Sequence, residues 1–303
     1  MNAVETCRLG KRYGNTWALR DCTLAIPRDH VVALVGPNGA GKTTLLHSMV
    51  GLCAPSIGEI SVLHGVPAGS PEALDRVAFV AQNAPLHQYL TVAAMVDLTS
   101  ALNQRFDRPF AETRLRQLGI PFKRRVGRLS GGQQAQLALS LALGRRPDLL
   151  VLDEPLSPLD PLARHDFMAY LMGEVADQGL SVIFSSHVVS ELERVADHLV
   201  VLAQGHVQMG GEIDQLLADH ALWSGPVSEV EHVKTLASVV HTEVAERYAR
   251  LVVRTTAGKP PSGWEADRVT IEELVLAYLR SPTAEALPRP QILASVTSDA
   301  RRS

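Results

Sequence analysis

One stretch constrains the chain more than any other: Gly36-Pro37-Asn38-Gly39-Ala40-Gly41-Lys42-Thr43. It fits the pattern G-x-x-x-x-G-K-[ST], and the apolar run Val31–Val35 in front of it predicts a buried strand. From Thr44 onward the apolar side chains recur at helical spacing as far as Gly51, a typical residue at a helix end. The sequence therefore predicts a strand, a glycine-rich turn and a helix in direct succession.

This turn has the chemistry of a phosphate-binding loop. Glycines let consecutive backbone N–H groups turn inward around phosphate oxygens, and the helix N-terminus adds a partial positive charge. Lys42 is then placed to reach the terminal phosphates, and the Thr43 hydroxyl to hold Mg²⁺. The alternative is an ordinary glycine-rich turn, but the strand–turn–helix context favours phosphate binding.

Composition narrows the class of protein. The 303 residues carry a net charge of −3, so the chain lacks the overall positive charge that is typical of nucleic-acid-binding proteins. The three cysteines, Cys7, Cys22 and Cys53, are an odd number and widely spaced, which suits a reducing compartment better than a disulfide framework. No leader pattern or bilayer-length apolar run is present. We therefore expect a soluble, cytoplasmic chain whose membrane role, if any, requires a partner.

The residues before and after the phosphate loop favour strands. Alternating apolar residues predict strands over Val4–Leu9 and Trp17–Ile26, with Tyr13 in a loop between them. The Tyr13 ring could stack on a base, although an aromatic residue considered alone is more often explained by ordinary packing. A turn-rich segment at Gly65–Pro71 precedes a predicted strand over 76–81 that ends at Gln82. Polar residues at strand ends are typical of ligand sites in parallel α/β sheets.

The segment from Asn83 to Arg128 changes to helical spacing, with predicted breaks at Pro109 and Pro121. The sequence Leu129-Ser130-Gly131-Gly132-Gln133 then opens a long apolar helix, and its Ser and Gln form a capping-box pattern. Two glycines in a first turn lower helix propensity by roughly 1 kcal/mol each. Their presence therefore indicates that something approaches this backbone closely.

Two further strands end in polar residues. The run Leu149–Leu152 is followed by Asp153 and Glu154, and a later strand that begins at Leu180 ends at His187. Asp153 suits Mg²⁺, and Glu154 suits a general base that deprotonates an attacking water. Parallel strands would bring all three side chains to the same sheet edge as the phosphate loop.

Together these motifs resemble those of an ATP-binding cassette (ABC) ATPase over residues 4–217. In that family's terms the Walker A loop is 36–43, the Q-loop residue is Gln82 and the signature is 129–133. The Walker B strand ends in Asp153-Glu154, the D-loop is 157–160 and the switch histidine is His187. Six motifs stand in the family's order.

The resemblance implies an α/β fold: a P-loop core, an N-terminal antiparallel β-subdomain and an inserted helical subdomain within 83–150. It implies ATP and Mg²⁺ as ligands, with Glu154, His187 and Lys42 as catalytic residues. The implied metal set is Thr43, Gln82 and Asp153. The implied nucleotide contacts are Tyr13, Gly36, Pro37, Asn38, Gly39, Ala40, Gly41, Lys42, Thr43, Thr44, Gln82, Ser130, Gly131, Gly132 and Gln133.

The family also implies partners. ATP would lie between the P-loop of one cassette and the signature of a second, which is either another copy or a paralogue. Separate transmembrane permease subunits would contact the helical subdomain near 83–91 and hold the chain at the inner face of the membrane. No nucleic-acid partner is expected. The sequence departs from the family's pattern at two places that bear on these contacts. Gln134-Ala135-Gln136 stand where the family commonly has an arginine, and Pro158 stands in the D-loop where a small residue is common.

The last third carries no catalytic motif. A closing helix is predicted over Glu212–Ala221, and a boundary at Gly225-Pro226. A small α+β appendage is expected within 218–280, including a helix from Thr270 with Glu273 completing a capping box. Residues 281–303 are expected to form a flexible tail. With so short a C-terminal appendage, the chain resembles the ATPase subunits of bacterial exporters of the ABC-2 type. Two alternatives remain open: a soluble ABC protein acting on nucleic acid or ribosomes, and a membrane ABC motor that moves no substrate.

Overall fold

The computed structural model describes residues 1–82, 86–157, 159–187, 189, 195–254, 258–281 and 284. The strands are β1 (Asn2–Tyr13), β2 (Thr16–Pro27), β3 (Val31–Val35), β4 (Ile57–Val62), β5 (Val66–Pro67), β6 (Val77–Val80), β7 (Leu149–Leu152), β8 (Ser181–Ser186), β9 (His198–Ala203), β10 (His206–Glu212), β11 (His220–Pro226), β12 (Val239–Ala245), β13 (Tyr248–Arg254) and β14 (Glu265–Asp267). The helices are α1 (Lys42–Met49), α2 (Pro71–Arg76), α3 (Val92–Leu102), α4 (Arg108–Gln117), α5 (Gly131–Gly144), α6 (Pro161–Gln178), α7 (Ile213–Ala218), α8 (Val230–Leu236) and α9 (Ile271–Arg280).

A six-stranded sheet forms the centre of the molecule, with the order β10-β9-β3-β8-β7-β6. The five strands from β9 to β6 are parallel, and β10 pairs antiparallel with β9 at the edge. All residues of β3, β7 and β8 are buried, as expected for parallel strands covered on both faces. Because these strands run the same way, their carboxyl ends meet at one edge.

The N-terminal antiparallel sheet has the order β2-β1-β4-β5, as the family resemblance implied. The prediction that Tyr13 lies in a loop is wrong. Tyr13 ends β1 and pairs with Thr16, so the two strands run on as far as a tight hairpin turn at Gly14-Asn15. Lys11 and Arg12 are adjacent polar residues and the end of the hairpin is exposed, so this continuation lacks the apolar alternation that predicts a strand.

The region between β6 and β7 is helical, as predicted, and α3, α4 and α5 share a small core of their own. The predicted break at Pro109 is wrong, because Pro109 lies in the first turn of α4, where a missing N–H costs no intrahelical bond. Asp107 caps this helix by accepting a bond from the Phe110 N–H. The predicted range 83–150 for the helical subdomain also runs into β7 of the central sheet.

The C-terminal sheet has the order β12-β13-β11-β14. The predicted boundary at Gly225-Pro226 is wrong, because both residues end β11 and pair with β13. The closing helix is also shorter than predicted, since α7 covers Ile213–Ala218 and β11 begins at His220. Helix α9, capped by Thr270 and Glu273 as the pattern indicated, packs against both sheets and places its buried residues in the core of the central sheet.

Several elements were not predicted from the sequence, among them the long helix α6. β5 lies within the segment 65–71 that was read as turns, α2 includes Arg76, which was read as the start of a strand, and β10 extends the central sheet beyond β9. The sequence also predicts an amphipathic helix over 188–198, and this segment lies largely outside the described residues. Among the helices described, none is long and apolar enough to cross a bilayer.

Candidate functional site

The carboxyl ends of four neighbouring strands bring the predicted site residues together. The glycine-rich loop follows β3, His187 follows β8, Asp153 and Glu154 follow β7, and Gln82 comes shortly after β6. These four strands stand side by side in the sheet. Strand order, rather than closeness in sequence, therefore builds the site.

Two glycines of the loop have backbone conformations that other residues rarely adopt. Gly39 has φ 79° and Gly41 has φ 105°, both in the left-handed region. A Cβ on Gly41 would also press against the Ala18 carbonyl oxygen, and one on Gly36 would collide with the Leu202 carbonyl oxygen. The loop is therefore held close to neighbouring backbone, and its shape depends on glycine.

Thr43, Asp153 and Ser185 form one hydrogen-bonded chain. The Thr43 hydroxyl donates to Asp153 Oδ2 at 2.8 Å, and the Ser185 hydroxyl donates to Asp153 Oδ1 at 2.7 Å. Ser185 also accepts a bond from the Glu154 backbone N–H at 2.8 Å. Sequence analysis missed Ser185, which is fully buried at the end of β8; the only signal was a hydroxyl residue just before a strand end.

Lys42 is buried below the loop, with only 6% of its surface exposed. Its ammonium group donates to the carbonyl oxygens of Gly36 at 2.7 Å and Pro37 at 3.3 Å. Burial lowers the pKa of Lys42, and the nearby Glu154 and Asp153 carboxylates oppose that shift by favouring the charged form. The site thus keeps a cation beside two carboxylates.

The Glu154 carboxylate lies close to three other predicted site residues. Its carboxylate accepts a 2.9 Å bond from the Gln82 amide and lies 3.5 Å from His187 Nδ1 and 3.9 Å from the Lys42 ammonium. Its backbone has φ 46°, which is uncommon for a residue other than glycine. Such strain persists where the surroundings fix the backbone, and here the Ser185 hydroxyl holds the Glu154 N–H.

A small cavity of about 20 Å³ lies beside Glu154 and is also lined by Ser185, Ser186 and His187. A water molecule needs a cavity of roughly 10 to 15 Å³ and several polar partners. The cavity therefore has room for one water next to a carboxylate.

The donors at this edge fit a phosphate group and Mg²⁺. A buried ammonium and a glycine loop at the start of α1 supply the positive potential that phosphates require. The Thr43 hydroxyl and the Asp153 carboxylate are hard oxygen donors already in contact, as Mg²⁺ prefers. Gln82, predicted as a third metal ligand, has its amide nitrogen bonded to Glu154, and its metal role stays a prediction.

The signature residues stand apart from this cluster. Ser130 accepts a bond from the Gln133 N–H, and the Gln133 side chain accepts one from the Ser130 N–H, so both close the predicted capping box of α5. Ser130 and Gly131 are exposed. The first turn of α5 therefore presents its free N–H groups at the surface.

Tyr13 is available for stacking. It is 53% exposed, and its hydroxyl lies 3.3 Å from the thiol of Cys53. That hydrogen bond is the main cause that raises the pKa of Tyr13, with partial burial adding to it. Its place beside α1 suits contact with a nucleotide base, and this role stays a prediction.

Comparison with known proteins bears on this site. The ABC transporter family model matches residues 19–157. An uncharacterized ABC transporter ATP-binding protein of Nostoc sp. (strain PCC 7120) is 34% identical over 210 residues, covering 66% of this chain and 61% of the relative. The sulfate/thiosulfate import ATP-binding protein CysA of Yersinia pseudotuberculosis is 34% identical over 229 residues, covering 72% and 63%. The chain thus spans about three fifths of the length of these relatives.

A solved structure described as the ATP-binding subunit of an ABC transporter superposes with a TM-score of 0.64 at 27% identity, covering 71% of this chain and 92% of that one. The residues matched by the family model include the glycine loop and the paired carboxylates Asp153 and Glu154. The chain therefore carries an ABC transporter ATP-binding domain with the α/β fold of the ABC ATPase cassettes.

Proposed function

We propose that this chain is the ATP-binding and ATP-hydrolysing motor subunit of a membrane ABC transporter whose permease is a separate chain. The observation that carries the proposal is the meeting of Lys42, Thr43, Asp153 and Glu154 at one sheet edge. A bound triphosphate would replace the Gly36 and Pro37 carbonyl oxygens as the partner of the Lys42 ammonium. Mg²⁺, held by Thr43 and Asp153, would neutralise phosphate charge when bound.

Glu154 is the general base of the proposed hydrolysis. Its carboxylate lines the water-sized cavity and lies 3.9 Å from the Lys42 ammonium, and it is the group proposed to take a proton from the attacking water. Gln82 and His187 contact the same carboxylate and orient it. Ser185 is a positioning residue, because it holds both the Asp153 carboxylate and the Glu154 backbone.

The proposed nucleotide site is completed by a second cassette. The exposed first turn of α5 carries Ser130, Gly131 and Gly132 with N–H groups that suit a terminal phosphate. Bound ATP would then join two cassettes head to tail, and hydrolysis would release them. The partner is either a second copy of this chain or a paralogue.

The proposed permease contact is a cleft of about 200 Å³ between β6, α3 and α5. It is lined mainly by apolar side chains, among them Leu86, Met95 and Leu141, and also by Thr99 and Arg145. Part of the predicted contact segment 83–91, namely 83–85, lies outside the described residues. Permease contact here would hold the chain at the inner face of the membrane.

The direction of transport is the finer part of the proposal. Export of the ABC-2 type is proposed on the sequence resemblance alone. The name of the Yersinia relative is an import name and does not support export. Identification of the permease separates the two directions.

The test is capture of membrane partners by tagged Glu154→Gln protein with ATP, from detergent-solubilised native membranes. We expect a polytopic membrane protein to co-purify in an ATP-dependent manner. Thr99→Arg, which adds bulk and a second positive charge to a cleft that already contains Arg145, should abolish capture, whereas the matched change Thr235→Arg on the C-terminal unit should not. Recovery of ribosomes or nucleic acid, or no partner, would reject the transporter role.

A further inference from the structure

A second cluster of ligand-type side chains lies at the opposite end of the central sheet. His30 directly precedes β3, His198 begins β9, and Asp197 stands just before it, whereas the phosphate loop follows the carboxyl end of β3. One ligand atom from each of the three residues lies within 4.8 Å of the other two. Sequence separation hid the cluster, because His30 and Asp197 come together only through the pairing of β3 with β9.

The spacing of these atoms matches that of a metal site. His30 Nδ1 lies 3.1 Å from Asp197 Oδ2, and His198 Nδ1 lies 3.5 Å from Asp197 Oδ1. Ligand atoms bound tetrahedrally to zinc at about 2.1 Å stand about 3.4 Å from one another. The two rings stack with centroids 4.6 Å apart, which holds the imidazoles on the same side of the sheet end.

The central carboxylate is already oriented. Asp197 Oδ1 accepts a 3.0 Å bond from the Val31 N–H, and the Asp197 N–H donates to the Val31 carbonyl at 3.1 Å. The Ile213 N–H in turn donates to the Asp197 carbonyl at 2.9 Å. Outer hydrogen bonds of this kind fix ligand orientation and strengthen metal binding.

One ligand atom makes no hydrogen bond. His198 Nδ1 is buried, and its 3.5 Å contact with Asp197 Oδ1 is not a hydrogen bond. A buried polar atom without a hydrogen bond is unfavourable, and a bound cation would supply the missing interaction. The Asp197 and His30 side chains are 49% and 40% exposed, so a hydrated ion can enter and keep water on its open side.

We propose that His30, Asp197 and His198 form a binding site for a divalent transition-metal ion of the zinc type. Two imidazoles and one carboxylate favour Zn²⁺, Ni²⁺ or Cu²⁺ over Mg²⁺ and Ca²⁺, which prefer oxygen ligands alone. The ion ties the starts of β3 and β9 together, and β3 leads directly into the phosphate loop. The site does not depend on the proposed ATPase and transport functions.

The test is a zinc titration of the full, untagged chain by calorimetry, with excess Mg²⁺ to occupy the Thr43 and Asp153 oxygens. Co²⁺ binding, followed by its visible absorption, reports nitrogen ligation. We expect one equivalent to bind and to raise the unfolding temperature. His30→Ala should weaken zinc binding at least tenfold and remove the unfolding shift, whereas His232→Ala, at an exposed position, should bind as the wild type does.

His198→Asn serves as a second variant, and it should also lose binding. If it fails to fold, His30→Ala decides the matter, because His30 is a partly exposed residue outside the strands. Absence of wild-type binding, or equal binding by His30→Ala and His232→Ala, would overturn the proposal.

Discussion

The Thr43 hydroxyl donates a 2.8 Å hydrogen bond to the Asp153 carboxylate, although the two residues lie 110 positions apart. Thr43 follows the β3 turn and Asp153 follows β7, and the two strands lie on either side of β8. Ser185, at the end of that middle strand, completes the bridge to Asp153. This triad therefore fixes the three strand ends relative to one another and sets the geometry on which hydrolysis depends.

Glu154→Gln should lower ATP turnover by about 10²-fold or more while ATP binding is retained. The amide keeps the shape and the polar contacts of the side chain but cannot accept a proton. Steady-state phosphate release and equilibrium nucleotide binding measure the two effects. Glu272→Gln, at an exposed acid on α9, is the matched control and should have wild-type turnover. Wild-type turnover in the Glu154 variant would remove Glu154 from the mechanism.

Ser185→Ala should lower the free energy of unfolding by about 1 to 3 kcal/mol, because the Glu154 N–H and the Asp153 carboxylate lose a buried partner. It should also raise the Mg²⁺ concentration needed for half-maximal ATPase activity, since Asp153 is no longer held. Denaturant unfolding and a Mg²⁺ titration of activity test both. Ser140→Ala, at a buried serine whose hydroxyl bonds only to the Gln136 carbonyl in α5, should leave the Mg²⁺ dependence unchanged. An unchanged Mg²⁺ dependence in Ser185→Ala would contradict the positioning role.

Gly41→Ala should destabilise the fold by about 1 to 3 kcal/mol and weaken nucleotide binding. Alanine is strained at φ 105°, and its methyl group would press on the Ala18 carbonyl oxygen. Gly173→Ala is the matched control, because it lies in α6 with open space around it and should stabilise the helix by up to about 1 kcal/mol. Denaturant unfolding of both variants gives the comparison. Equal stability of the two would show that the loop tolerates a side chain.

His220 should make stability fall on acidification. It is buried, it bonds to the Leu216 carbonyl at 2.7 Å and to the Tyr278 hydroxyl at 2.8 Å, and it joins α7 to α9 through β11. Burial is the main cause that lowers the pKa of His220 below its ordinary value of 6.5. The folded state therefore binds the proton less tightly than the unfolded state. Stability is full above pH 6.5 and is lost as pH falls from 6.5 toward the lower folded pKa.

Urea unfolding across this pH range should show a smaller loss of stability in His220→Gln than in the wild type. The substitution removes the titrating ring, while other groups contribute equally to both curves. His232→Gln, at an exposed histidine, should follow the wild-type curve. Parallel curves for wild type and His220→Gln would show that His220 does not set the pH dependence.

Local pattern was sufficient for much of the fold. The buried strand and glycine loop at Val31–Thr43, the capping boxes at Ser130 and Thr270, and the apolar run before Asp153 were all predicted where they occur. Each depends on neighbouring residues only, through side-chain spacing, caps and glycine conformation. The errors fell where a half-exposed hairpin lacks apolar alternation, at Tyr13, or where a proline is tolerated in a first turn, at Pro109.

The sequence by itself determined which side chains end the strands: Gln82, Asp153, Glu154 and His187. Only the tertiary structure decided which strand ends are neighbours. The order β9-β3-β8-β7-β6 places Ser185 between Thr43 and Asp153 at one sheet edge and brings His30 to Asp197 at the other. The physical reason is that strand pairing joins backbone groups far apart in the chain, and local periodicity carries no information about which pairing buries the most apolar surface.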